Sequence, residues 1–155
     1  MLEENKTTTR IDRHKVSQED FTPRQIVELL FEKSEELFTD FSKTMIDPCA
    51  GVFYIIIYCF EKRLENCKTA DDIIKAISTL YGTELFEDNV IEGRQNLQNS
   101  LDRFLKENNI EFNYNYQYEF NKILDSNFVA TDTFKWDYEN WCSLKEEIYE
   151  SIELF

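Results

Sequence analysis

Apolar residues along the chain first recur at helical spacing. Ile26, Val27, Leu29, Leu30 and Phe31, then Leu37 and Phe38, give a wide stripe that predicts a helix over 22–37, with Thr22 as N-cap and Pro23 at its first position. Residues 43–47 predict a short strand stopped by Pro48, which cannot donate to a ladder. Residues 52–64 predict a helix that is apolar nearly all round at its start and amphipathic by Glu61-Lys62-Arg63, the pattern of a helix buried against a sheet. A short helix over 71–78 carries acids in its first turn, where the helix dipole favours them. A strand over 79–85 follows, then a long helix over 87–105 with Val90, Ile91, Leu97, Leu101 and Leu105 on its apolar side. From 110 to 120, aromatic and polar residues alternate through Phe112, Tyr114, Tyr116, Tyr118 and Phe120, and this period of two predicts a half-buried strand. A strand over 127–131 and a helix over 141–154 complete the pattern. Residues 1–16 are polar without apolar periodicity and read as a flexible leader to a single domain over 17–155.

Helices and strands taking turns in this order predict an α/β fold, a mostly parallel sheet with flanking helices. Such sheets bind ligands at the carboxyl ends of their strands. Three predicted strands end on or next to an acid: Asp47, Glu84 and Asp132. One acid after a strand is ordinarily a turn former; three after successive strands point to a nucleotide-type site.

Composition narrows the function classes. With 31 acidic and 17 basic residues the chain carries a net charge of −14, which repels phosphate and argues against direct nucleic-acid binding. Thirteen Phe and eight Tyr argue for a packed core rather than a disordered acidic tail. Cys49, Cys59, Cys67 and Cys142 form no C-x-x-C pair and the one histidine, His14, lies in the leader, so no metal site is expected. The most apolar run, 52–60, is far shorter than the ~20 residues of a membrane span, and no signal sequence is visible. A reducing, cytoplasmic compartment is the expectation, the host's if the chain is viral.

Four elements in order carry a family resemblance. Phe21-Thr22-Pro23, Asp47-Pro48-Cys49-Ala50-Gly51, Tyr81-Gly82-Thr83-Glu84-Leu85 and Phe128-Val129-Ala130-Thr131-Asp132 resemble an F-T-P element, a D-P-A-C-G loop, a Y-G-V-(D/E)-I strand end and a C-x-D-A-L element. Together, over about residues 20–135, they resemble the amino-terminal half of class I S-adenosylmethionine-dependent DNA methyltransferases acting on the exocyclic amine of adenine. The resemblance implies a truncated Rossmann-like methyltransferase fold and vestigial cofactor-binding positions at Thr22, Asp47, Gly51, Glu84 and Asp132.

Two departures matter. Phe53 stands where the family's loop has its second glycine, where backbone must approach the cofactor closely, so its ring is expected to fill that space and disfavour the turn. Neither N-P-P-Y nor D-P-P-Y, which in the family clamps the flipped-out adenine, occurs, and the only prolines are Pro23 and Pro48. No catalytic residue is expected, and no cofactor, with S-adenosylmethionine bound weakly at most.

The sequence thus reads as a degenerate, non-catalytic methyltransferase-like protein, of viral (phage) or mobile-element origin. It would act by binding a protein, as a decoy or inhibitor of a partner that handles nucleic acid. Alternatives are a cofactor-binding subunit of a split DNA adenine methyltransferase, and a structural or virion-associated interaction module. Fold alone does not separate them. The aromatic run from Phe112 to Phe120 could stack on bases, but no Lys or Arg lies between Lys106 and Lys122 to hold phosphates, and Trp136, Tyr138 and Trp141 near the end are read alike. Tyr114, Tyr116, Trp136 and Trp141 are therefore the expected contacts of a protein interface or self-association, the competing reading being the core of a shrunken domain.

Overall fold

The computed structural model describes residues 22–144; the leader over 1–16 and the part of the predicted last helix from 145 onward lie outside them. The elements are α1 (Arg24–Phe31), α2 (Glu36–Thr39), β1 (Met45–Asp47), α3 (Tyr54–Leu64), α4 (Ala70–Ser78), β2 (Leu80–Glu84), α5 (Glu87–Asn108), α6 (Tyr114–Asn127), β3 (Phe128–Ala130), a 3₁₀ turn (Thr133–Lys135), β4 (Trp136–Asp137) and β5 (Cys142–Ser143). β1, β2 and β3 form a parallel sheet in that order, flanked by helices, and β4 pairs with β5 as a separate antiparallel hairpin. This is an α/β arrangement. Among the described residues no helix is long and apolar enough to cross a membrane.

Side chains alternate along β2. A Cβ on Gly82 would meet Ile56 of α3 and Phe128, so Leu80, Gly82 and Glu84 face the helical layer. There Phe53, Ile56, Phe60, Ile73, Ile77, Leu80, Leu97, Leu101, Phe120 and Phe128 form one buried cluster, with ring pairs Phe60–Phe120 at 5.9 Å and Phe53–Phe128 at 5.2 Å. Tyr81 and Thr83 face the other way and meet the hairpin. The Trp141 ring stands edge-on to Tyr81 at 4.7 Å, and Tyr138 Oη lies 2.9 Å from Thr83 Oγ1. Trp136 packs edge-on against Trp141 at 5.4 Å, and Trp141 Nε1 donates to the Ser126 carbonyl at 2.7 Å.

Three predicted elements are corrected. The segment 110–120 is no strand: Tyr114–Asn127 is a helix capped by Asn113, whose side chain accepts from the Asn115 and Tyr116 N–H groups. A period of two contains a period of four. Tyr116, Phe120 and Leu124 share one helical face, Phe120 and Leu124 in the core and Tyr116 stacked on Phe112 ahead of the cap, while Tyr114 and Tyr118 are left 80% and 57% exposed. The predicted helix over 22–37 is two helices, because the chain turns after Phe31 so that Phe31 and Phe38 both reach the Tyr58 ring, at 5.5 and 6.2 Å. Its N-cap is Pro23 rather than Thr22, and the Pro23 carbonyl takes the Ile26 and Val27 N–H groups. Finally, Trp141 to Leu144 belong to the hairpin and not to a helix; Trp141 sits at φ 51°, and the Leu144 N–H reaches the Lys135 carbonyl.

At the amino end of the sheet a fully buried guanidinium, Arg63, holds three chain segments. Nε donates to the Leu37 carbonyl (2.7 Å), Nη1 to the Ala76 carbonyl (2.8 Å) and Thr79 Oγ1 (2.7 Å), and Nη2 to the Lys43 carbonyl (2.7 Å). Thr79 Oγ1 in turn donates to the Phe41 carbonyl. The end of α4 is thereby satisfied: Ser78 Oγ takes the Lys75 carbonyl, Arg63 the Ala76, the Thr79 N–H the Ile77, and Asn127 Nδ2 the Ser78. Replacing Arg63 strands several carbonyls away from water, each costing about 1–3 kcal/mol. We predict that Arg63→Met lowers unfolding free energy by about 3 kcal/mol or more, read as a fall in urea midpoint. Arg63→Lys rescues little, because an ammonium has three donors and no planar fork.

Candidate functional site

Parallel register sets the candidate acids along one edge. Asp47 aligns with Gly82, Glu84 aligns with Ala130, and the Thr131 N–H bonds to the Glu84 carbonyl, carrying β3 on toward Asp132. The backbone of the loop after β1 is tied to Thr83 of β2 by two bonds, Ala50 N–H to the Thr83 carbonyl (2.9 Å) and Thr83 Oγ1 to the Pro48 carbonyl (2.9 Å). The structure therefore brings Asp47, Gly51, Glu84 and Asp132 to the carboxyl edge. Thr22 joins them from the start of α1, lining a small cavity with Asp47, Cys49, Ala50, Gly51, Tyr54 and Ile55.

Glu84 faces inward. Its Oε2 accepts the Gly51 N–H at 2.8 Å, and its Oε1 accepts the Phe86 N–H at 3.1 Å and Asn89 Nδ2 at 3.4 Å. Asp47 Oδ1 accepts the Cys49 N–H at 3.1 Å, and Asp132 Oδ1 the Phe134 N–H at 3.0 Å, so each also stabilises its own turn. Burial pushes the Asp47 carboxyl above its ordinary pKa; the Cys49 N–H pulls it down and the Glu84 charge pushes it further up. The exposed Cys49 thiol is also raised, by partial burial first and then by the Asp47 and Glu84 charges, so the edge does not favour a thiolate. Burial holds the Cys59 and Cys67 thiols up at about 11 and about 12. Among the described residues no group of three or more His, Cys, Asp or Glu could hold a metal ion.

Phe53 resolves differently from the expectation. It adopts the left-handed turn a glycine would favour, at φ 73° and ψ 26°, one residue beyond Val52 and two beyond Gly51 at φ 55°. Its ring does not occupy the space above the loop. It lies fully buried beneath, on Phe128, and fills the place where α5 has Gly93, whose absent Cβ would sit 2.4–2.7 Å from the ring atoms. Sequence reasoning missed both Gly93 and Asn89, the partners that let the loop close; a glycine and a buried amide in one helix were the available signal.

The cavity beside Gly51 measures about 30 Å³. That is one water's share of liquid volume, against the roughly 300–1,000 Å³ of small-molecule sites. A larger hollow of about 360 Å³ lies between α1 and α3, lined by Pro23, Val27, Tyr54, Ile57 and Tyr58 with Thr22, Arg24 and Glu61 at its polar positions; it shares Thr22 and Tyr54 with the small cavity. As for the expected interface, Tyr114 stands exposed on α6, but Tyr116 is stacked on Phe112 and donates to Asp71 Oδ1 at 3.0 Å. Trp136 and Trp141 are half-buried within the hairpin layer over the sheet.

Two predictions follow from this geometry. Asp47→Asn removes a half-buried charge beside Glu84 while the amide oxygen still accepts the Cys49 N–H. A carboxyl raised on folding binds its proton more tightly in the native state, so its contribution is greatest below the unfolded value and is lost as pH rises through the folded value. Asp47→Asn should raise the urea midpoint at pH 7, and the gain should vanish in acid below the unfolded pKa. Gly93→Ala should cost about 1–3 kcal/mol by overpacking the Phe53 ring. In a Phe53→Gly background the same substitution should cost little, a coupling of about 1 kcal/mol or more in a double-mutant cycle.

No protein-family model matches the chain, no curated protein matches it, and no solved structure matches it.

Proposed function

We propose that this chain is a non-catalytic, methyltransferase-like protein, a Rossmann-like fold that acts by binding another protein, as a decoy or inhibitor of a partner that handles nucleic acid. The observation that carries this reading is the state of Glu84. In the family that the sequence resembles, this acid takes the ribose hydroxyls of the cofactor; here both its oxygens accept protein donors, from Gly51, Phe86 and Asn89. The 30 Å³ cavity beside Gly51 adds to it, as does the lack of an N-P-P-Y or D-P-P-Y tetrapeptide. The residues at this edge do not fit S-adenosylmethionine as they stand, and no reaction step is assigned to them.

A split-enzyme reading keeps one supporting feature, the left-handed loop conformation at Gly51 and Phe53. Isothermal titration of the full chain with S-adenosylmethionine separates the two. The expected result is no saturable binding in the millimolar range. A Kd below about 10 μM, worth roughly 7 kcal/mol, would overturn the proposal in favour of a cofactor-binding subunit. Methyl transfer to DNA on adding a chain that carries the missing tetrapeptide would do the same.

A further inference from the structure

Beside Gly51 the carboxyl edge of the sheet leaves a cavity of only about 30 Å³, but the edge is not bland as a surface. Each of its three connections presents a large apolar side chain to water: Tyr54 at the start of α3 (46% exposed), Leu85 directly after β2 (61%) and Phe134 in the turn after β3 (81%). Leu85 and Phe134 leave from strands that are hydrogen-bonded neighbours, whose axes lie about 4.8 Å apart. Acids surround them. Asp47 and Asp132 lie at strand ends and Glu87 and Asp88 in the first turn of α5, against Lys135 in the 3₁₀ turn and an Arg24 that is ion-paired with Glu28 at 3.0 Å.

A surface of projecting apolar side chains over a 30 Å³ cavity fits a macromolecule rather than a small molecule. The acid surround excludes a phosphate backbone and complements a cationic one. We infer that the carboxyl edge, centred on Leu85 and Phe134, docks a protein segment that presents aliphatic side chains flanked by Lys or Arg. This deepens the binding-protein reading and rests on it, and it moves the contact surface away from Trp136 and Trp141, which are engaged within the fold.

The test is fluorescence anisotropy of the full chain with a short labelled peptide of repeating Lys-Leu-Leu-Lys, and a Lys-Ser-Ser-Lys peptide of equal charge as control. The Lys-Leu peptide should bind the more tightly and weaken with added salt. Leu85→Ser/Phe134→Ser, which alters no charge and no buried side chain, should lower its affinity about tenfold while leaving the control peptide and the urea midpoint unchanged. Leu29→Ser/Leu30→Ser, on the exposed face of α1, should leave the affinity as it is. Equal binding of the two peptides, or an affinity that the edge variant does not move, would overturn the inference. Loss of binding in the α1 variant alone would overturn this location while leaving the binding-protein reading standing; that reading falls only to the cofactor titration above.

Discussion

A parallel sheet that grows in one direction, from β1 to β2 to β3, sends its crossovers over one face. In this chain α3 to α6 all contribute to the single apolar cluster on that face, and the opposite face receives none of them. Parallel strands need cover on both sides. Here the hairpin of β4 and β5 supplies it, laying Trp141 on Tyr81 and Tyr138 on Thr83. The cluster of aromatics near the end of the described chain is thus first a substitute for a second helical layer. Its hydrogen bonds run inward too: Trp141 donates to Ser126, and Tyr138 Oη is shared between Thr83 and Thr133.

The two ends of the sheet are organised by two buried ionisable side chains with different tasks. Arg63 at the amino end meets carbonyls and a hydroxyl rather than a carboxylate. Its fork geometry supplies donors to chain that leaves α2 and α4 just before each enters a strand, which fixes where β1 and β2 begin. A planar guanidinium can serve several acceptors in fixed directions, and a buried charge so surrounded is costly to remove. Glu84 at the carboxyl end does the converse, collecting N–H groups from the loop after β1 and from the start of α5. Those donors belong to backbone that has no ladder partner, so the same bonds that order the edge also engage the one carboxylate best placed to face a ligand.

Phe53 shows how such an edge closes from below. A left-handed non-glycine residue stores strain of order 1 kcal/mol or more, and persists only where surrounding packing over-determines it. The packing here is a ring between Phe128 and the glycine of α5. Loop, helix and strand are consequently locked together, and what remains at the surface is a rim of acids with Leu85 and Phe134 standing out of it.

The sequence by itself determined the α/β class, the order of the elements from β1 to β3 other than the segment at 110–120, and the placement of Asp47, Glu84 and Asp132 at or just beyond strand ends. These depend on local signals: apolar periodicity, a proline after a strand, acids in a first helical turn. It could not assign 110–120, because alternation every second residue is equally a stripe every fourth, and only the Asn113 cap and packing on α4 and the core decide for the helix. Nor did it show that Arg63 is buried, since an arginine among Glu61 and Lys62 reads as the wet side of a helix until its acceptors, 13 to 26 residues away, are assembled. The direction of Glu84 and of the Phe53 ring was likewise a tertiary matter. Both depend on where α5 lies, and long-range contacts of that kind leave no period in the chain.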